Sequence, residues 1–176
     1  MHTKFTTLVG CTAVVAAGLT ATLTAGVATA APQASPGVTL AVRPIPGDPA
    51  NYIVRVQGKF PMSEGAAYDR IDNMGPGGGM DYIVYGDDPG SDDAPVGSPH
   101  GFIGAPGPPG GLVIATPDGI AFMRELRVPK VDLDEDICFS SGCDGDGDEI
   151  YVKVRFVQGT GAGDLVAYSA AVSGEF

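Results

Sequence analysis

The amino-acid sequence predicts an all-β fold, an antiparallel β-sandwich of seven or eight strands with one short helix. Short stretches in which apolar and polar residues alternate recur along the chain, as expected of strands with one buried face. Turns rich in Gly and Pro separate these stretches, and the segment Pro61-Met62-Ser63-Glu64 has the features of a helix start. Many short strands joined by such turns form sandwiches or barrels, so a barrel is the alternative architecture.

The first half of the predicted domain contains three strands and the helix. The first strand is predicted at 38–42 and, after a long turn at 44–51, the second at 52–60. Ser63 is the predicted N-cap of a helix of two or three turns, because its hydroxyl oxygen can accept a hydrogen bond from a free backbone N–H. The third strand, at 80–86, leads directly into an acidic segment.

The second half contains four more predicted strands. Almost half of residues 75–119 are Gly or Pro, so most of this segment is predicted to be irregular. Strands are predicted at 112–116 and 120–128, on either side of a Pro-Asp-Gly turn, and again at 149–158 and 165–172.

The alternation also predicts which side chains face the core. In the strand at 120–128, Arg124 interrupts an otherwise apolar face formed by Ile120, Phe122, Leu126 and Val128. In the strand at 149–158 the two faces differ in polarity. Its predicted inward residues are Val152, Val154 and Phe156, and its predicted outward residues are Tyr151, Lys153 and Arg155.

Residues 1–30 have the features of a secretory signal peptide. A short basic start that includes Lys4 precedes a long run of small and apolar residues, and Ala28–Ala30 is a cleavage pattern of small residues. A retained transmembrane helix or a lipoprotein signal at Leu8–Cys11 is the alternative, but Thr and Gly dilute the apolar run and no stop-transfer charges follow it. We therefore predict a secreted protein, extracellular or in the cell envelope, whose single domain spans residues 31–176.

The formal net charge of −11 limits the classes of partner. A protein this acidic repels nucleic-acid phosphates and anionic membrane surfaces, so the expected partner is an unidentified extracellular or envelope molecule and not nucleic acid. No transmembrane segment is expected within the secreted part. Over half of the 21 acidic residues lie in two short stretches, the first acidic segment (residues 87–93) and the second acidic segment (residues 132–149).

Cys138 and Cys143 are predicted to form a disulfide bond. They are the two cysteines that follow the predicted cleavage site, and export brings them into an oxidising environment. Phe-Ser-Ser-Gly separates them, and Gly142 can adopt the positive φ that lets the chain ends meet. Closing so small a ring contributes roughly 2 kcal/mol in the chain-entropy model, and the bond would orient the acidic residues on either side.

The two acidic segments are predicted to hold a calcium ion. Calcium binds carboxylate and carbonyl oxygens, and carboxylates at alternate positions of a flexible turn can converge on one cation. The candidate ligands are Asp132, Asp134, Asp136, Asp144, Asp146 and Asp148 of the second segment and Asp87 and Asp88 of the first. The alternative interpretation is that these carboxylates are solvated turn residues that keep an exported protein soluble. Zinc and copper favour nitrogen and sulfur ligands, which one histidine and two bridged cysteines do not supply.

The acidic segments also resemble known calcium sites. Asp144, Asp146 and Asp148 match the first, third and fifth ligand positions of an EF-hand loop, but Glu149 stands in place of its glycine and Arg155 in place of its final acid. Taken together, the two segments resemble the loop-end calcium sites of C-two-type β-sandwich domains, which implies a calcium site at one end of the sandwich. The residues that would grip lipid in such domains are missing. The combination of GDDP, LDED and DEIY is also similar to small secreted actinobacterial proteins without an assigned activity.

Enzymatic chemistry is disfavoured. A serine or cysteine nucleophile needs a base, and His100 is the only histidine after the predicted cleavage site. The chain has no tryptophan, which removes the usual sugar-stacking platform of a two-carboxylate glycosidase. We therefore predict a non-enzymatic binding or envelope-associated module. The alternative is a small secreted protease inhibitor that presents the disulfide-braced loop 138–143.

Overall fold

The computed structural model of the chain describes residues 32–86, 111–134, 148–159 and 163–176. Within these residues the protein is an all-β fold of eight strands in two antiparallel sheets, with one α-helix, which confirms the predicted fold class. Sheet A has the strand order β1-β2-β5-β4. Sheet B has the order β3-β6-β7, and β8 also pairs with β6.

The elements follow one another in a simple order along the chain. Their bounds are β1 (Thr39–Ile45), β2 (Asp48–Pro61), α1 (Glu64–Asp72), β3 (Gly79–Gly86), β4 (Gly111–Thr116), β5 (Gly119–Pro129), a short 3-10 helix (Lys130–Asp132), β6 (Asp148–Val157), β7 (Leu165–Tyr168) and β8 (Val172–Gly174). The strands predicted at 80–86 and 112–116 are therefore present within the Gly/Pro-rich segment, as β3 and β4.

The connection between β1 and β2 is shorter than the sequence predicts. The long turn expected at 44–51 is wrong, because β1 continues to Ile45 and β2 begins at Asp48. Pro44 is compatible with a strand here, since β1 is the edge of sheet A and a prolyl nitrogen with no hydrogen to donate is tolerated at an edge. Gly47 adopts a φ of 79°, which allows the chain to reverse within the tight turn.

The core lies between the two sheets and is built mainly from aliphatic and aromatic side chains. Its largest fully buried members include Val54, Val56, Tyr82, Val84, Ile120, Val152, Val154 and Phe156. The predicted inward faces of β5 and β6 are confirmed. Arg124 does interrupt the apolar face of β5, and it is buried there with the apolar residues.

The strand predicted at 165–172 is wrong as a single element. Residues 169–171 separate β7 from β8, although both strands pair along the same side of β6. The β7–β8 side has one more residue than the facing part of β6, as in a β-bulge, which bends a strand without ending its pairing. The buried Ser169 replaces the missing ladder contacts. Its N–H donates to the carbonyl of Val152 (3.0 Å), and its hydroxyl accepts from the Val152 N–H (2.9 Å).

Helix α1 begins where the sequence predicts it. Ser63 is the N-cap, and its hydroxyl oxygen accepts a hydrogen bond from the backbone N–H of Ala66. Ala67 is the buried residue of the helix, which packs against β4 and β5. Among the described residues, no helix combines the length and apolar character needed to cross a membrane.

Candidate functional site

The two acidic segments adjoin the same end of the sandwich. β3 ends at Gly86, immediately before the first acidic segment, and Gly86 pairs with Ile150 of β6. β6 begins at Asp148, within the second acidic segment. The chain therefore leaves β3 at Gly86, which pairs with Ile150, and enters β6 at Asp148, two residues before Ile150. Both acidic segments adjoin these neighbouring strand ends.

Sheet A contributes to this end as well. Asn51 pairs with Pro129 at the end of β5, and the 3-10 helix that carries Asp132 follows directly. The ring of Tyr52 meets the ring of Phe176 edge-on, with centroids 5.9 Å apart, and this contact joins the two sheets here. We call this end of the molecule the acidic pole, defined by Gly86, Asp132, Asp134 and Asp148.

Three of the predicted calcium ligands lie within the described residues. Asp132 is half-buried and Asp134 is exposed, while Leu133 between them is fully buried and anchors this part of the chain in the core. Asp148 is buried, and its Oδ2 accepts a hydrogen bond from the N–H of Phe176 (3.2 Å). Within the described ranges, no three His, Cys, Asp or Glu side chains are grouped as metal ligands, so these three aspartates do not make a metal centre by themselves.

The other predicted site residues lie outside the described residues. They are the candidate ligands Asp87, Asp88, Asp136, Asp144 and Asp146, the cysteines Cys138 and Cys143, and His100. The loop 138–143 of the inhibitor alternative is outside the described residues too.

One carboxylate at this end was not singled out by the sequence. Both oxygens of Asp48 lie 3.0 Å from the side-chain nitrogen of Asn51, and Oδ2 also forms an ion pair with Arg127. The Asn51 hydrogen bonds, followed by the charge and hydrogen bond of Arg127, hold the pKa of Asp48 below its ordinary value. The carboxylate of Asp48 is therefore hydrogen-bonded and ion-paired within the protein, and it remains ionised at neutral pH.

A second surface feature lies on the outer face of sheet B. The rings of Tyr85 and Tyr151 are stacked, with centroids 5.2 Å apart and planes 10° from parallel, and Tyr168 lies 6.4 Å beyond Tyr151. These three rings, with Lys153 and Pro32, line a cavity of about 170 Å³. We call this surface the tyrosine face. Sequence reasoning missed it, because the three tyrosines come together only through the pairing of β3, β6 and β7.

Tyr151 lies on the outward side of β6, which confirms the predicted direction of its side chain. It is nevertheless buried, with 2% of its surface exposed, and the rings of Tyr85 and Tyr168 lie against it. Beside it, Arg155 donates two hydrogen bonds to Oδ2 of the buried Asp81, from Nε (3.1 Å) and from an Nη (2.6 Å). This carboxylate raises the pKa of Arg155 above its already high ordinary value.

Two polar groups inside the sandwich have no hydrogen-bond partner among the described residues. They are the hydroxyl of Tyr82, from sheet B, and Nε of Arg124, from sheet A. Burial raises the pKa of the Tyr82 hydroxyl, and the nearby charge of Arg124 only partly opposes that effect. Tyr82 is therefore neutral throughout the physiological range and is unsuited to act there as a general base.

No protein-family model matches this chain, and no match was found among curated proteins or solved structures.

Proposed function

We propose that the protein is a secreted, non-enzymatic β-sandwich module that binds calcium at the acidic pole and engages an extracellular or envelope partner. The observation that carries the proposal is the pairing of Gly86 with Ile150. It puts the end of β3, before the first acidic segment, beside the start of β6, within the second acidic segment.

The chemistry of this end favours a hard cation. Calcium needs several oxygen ligands, and carboxylates from separate stretches of chain can complete one coordination shell. Asp132 and Asp134 supply carboxylates next to the rigid anchor of Leu133. Further carboxylates adjoin Gly86 and Asp148 in the sequence, so the ligand types and the strand ends together suit calcium better than zinc or copper.

Secretion is supported by the cleavage pattern at Ala28–Ala30 and by where the domain begins. Ser35 is hydrogen-bonded to Tyr168 of β7, so cleavage after Ala30 would leave this contact in the secreted domain. The non-enzymatic assignment rests on the shortage of histidine, the usual base for a serine or cysteine nucleophile, since His100 is the only histidine of residues 31–176.

Thermal unfolding with and without calcium tests the proposal. A site with a Kd of about 0.1 to 1 mM is typical of extracellular modules. At about 10 mM calcium such a site adds roughly 1.4 to 2.7 kcal/mol to the free energy of unfolding. For a domain of this size that corresponds to an increase in Tm of roughly 3 to 10 °C.

Charge-matched variants show where the ion binds. The double substitution Asp144→Asn and Asp146→Asn is expected to abolish the calcium-dependent increase. The matched double substitution Glu64→Gln and Asp72→Asn removes two exposed carboxylates from α1, which follows the opposite end of β2, and should leave the increase intact. The proposal is wrong if calcium leaves Tm unchanged, or if the double variant still responds like the unmodified protein.

A further inference from the structure

The tyrosine face concentrates aromatic side chains on a surface that a two-layer sandwich usually leaves to polar residues. Three of the six tyrosines of the chain lie there, one each on β3, β6 and β7. Tyr85 and Tyr168 are half-buried, Tyr151 is buried, and all three line the cavity. Among the described residues, Lys153 is the cation that lines it.

The chain's own N-terminal segment reaches this cavity. Among the described strands, β7 is the last strand of sheet B, and its edge away from β6 pairs with none of them. Ser35 pairs with that edge through two hydrogen bonds. Its N–H donates to the carbonyl of Tyr168 (2.8 Å), and its hydroxyl accepts from the Tyr168 N–H (3.0 Å). The half-buried Pro32, three residues before Ser35, lines the same cavity as the tyrosine rings.

We propose that the tyrosine face is a binding site for an extended, proline-containing peptide of a partner protein, and that Pro32 occupies part of this site as an internal ligand. Aromatic-lined grooves bind proline-rich segments because the rigid prolyl ring packs flat on aromatic rings and little chain entropy is lost. The N-terminal segment shows the binding mode. Pro32 lines the tyrosine cavity while Ser35, three positions further on, hydrogen-bonds to the edge of β7.

The surrounding chemistry favours this ligand over other classes. The cavity of about 170 Å³ accommodates a small apolar ring. The edge of β7 can hydrogen-bond to a peptide backbone, which a glycan does not have. Lys153 can pair with a carboxylate beside the bound proline. A competing peptide can displace the internal ligand by making the same contacts, since within the described part of the chain Ser35 pairs with β7 through two hydrogen bonds.

Removing the internal ligand while leaving the tyrosines in place provides the first test. The probe is a synthetic peptide, Ala-Pro-Gln-Ala-Ser-Pro-Gly, which copies residues 31–37. We expect it to shift the NMR signals of the Tyr85, Tyr151 and Tyr168 rings. We also expect the Pro32→Ala protein to bind it more tightly than the unmodified protein, by about tenfold if Pro32 leaves the site free one-tenth of the time.

Two controls separate binding from a structural role of the rings. A peptide with alanine in place of both prolines should bind the Pro32→Ala protein at least about tenfold more weakly, a loss of about 1.4 kcal/mol. Adding Lys153→Gln to Pro32→Ala leaves the aromatic stack in place and should weaken binding of peptides that carry Glu next to the proline.

Two results would overturn the proposal. One is that millimolar peptide leaves the tyrosine signals of the Pro32→Ala protein unchanged. The other is that soluble oligosaccharides shift those signals and the peptide does not, which would assign the face to glycans. Neither result depends on calcium, so failure here is distinct from failure at the acidic pole.

Discussion

The outer faces of the two sheets follow the same strand alternation but carry different chemistry. On sheet A, charged side chains form ion pairs at the surface. Arg43 lies 3.2 Å from Glu125, and Lys59 is paired with Asp118. These pairs are solvent-exposed to a large degree, so each contributes little to the free energy of unfolding.

The outer face of sheet B is dominated by packing. Tyr85, Tyr151 and Tyr168 form a continuous aromatic row across three strands. Next to this row, the carboxylate of Asp81 is almost fully buried and receives two hydrogen bonds from Arg155. Aromatic cross-strand pairs and charged hydrogen bonds with a buried partner both contribute more than exposed ion pairs do.

The comparison of the two outer faces shows that a residue on the outward side of a sheet is not always exposed to solvent. Alternation along a strand determines the side of the sheet on which a residue lies, but neighbouring side chains determine whether water reaches it. Around Tyr151, the outer face of sheet B is covered by the neighbouring rings of Tyr85 and Tyr168. Mutations on this face should therefore have larger effects than mutations on the outer face of sheet A.

The largest expected difference is at Tyr151. Replacing it by alanine empties the centre of the aromatic row, and large-to-small changes at buried aromatic positions cost about 3 to 5 kcal/mol. The matched change Gln57→Ala, at an exposed outward position of β2, should alter the free energy of unfolding by no more than about 0.5 kcal/mol. Urea unfolding of both variants measures the difference, and equal costs would mean that the two outer faces are energetically alike.

A smaller difference is expected between two carboxylates. Asp81→Asn removes the charge that accepts two hydrogen bonds from Arg155, and the expected cost is about 1 to 3 kcal/mol. Glu125→Gln removes the partner of Arg43 in an exposed pair and should cost about 0.5 kcal/mol or less. Chemical unfolding at low and high salt checks this prediction. The Glu125 effect should shrink as salt increases, whereas most of the Asp81 effect should persist. A larger cost for Glu125→Gln would reverse the comparison.

The smallest expected effect concerns the pKa of Asp48, at the end of sheet A. Asn51→Ala removes the largest cause of its lowered pKa, so this pKa should rise toward its ordinary value in an NMR titration of the carboxyl carbon. Asn73→Ala removes an amide that contacts Asp69 on α1 instead, and it should leave the pKa of Asp48 unchanged.

The same change should alter the acid sensitivity of folding. Because the pKa of Asp48 is lower in the folded state than in the unfolded state, the folded state binds fewer protons when the pH lies near these values. The contribution of Asp48 is therefore complete above its unfolded-state pKa and is lost as the pH falls through its folded-state pKa. Asn51→Ala should make this acid-dependent loss smaller. An unchanged pKa in this variant would show that Asn51 does not cause the shift, which would then rest on Arg127 and the backbone N–H of Ala50.

Local sequence signals predicted much of the fold. Ser63 identified the start of α1, because capping depends only on residues within one helical turn. Alternation identified the inward faces of β5 and β6, including the position at which Arg124 interrupts the core. The continuation of β1 through Pro44 and the break at 169–171 were missed, since both depend on which strand lies alongside and on the contacts of Ser169.

For the candidate sites, too, local sequence predicted some features and only the tertiary structure revealed others. The sequence by itself determined which carboxylates are clustered and predicted that residues 31–176 form a sandwich, because both conclusions need only composition and local periodicity. Only the tertiary structure decided that Gly86 adjoins Ile150 and that Tyr85, Tyr151 and Tyr168 share one face. The physical reason is that strand register and sheet order are set by contacts between residues far apart in the chain, which no local pattern encodes.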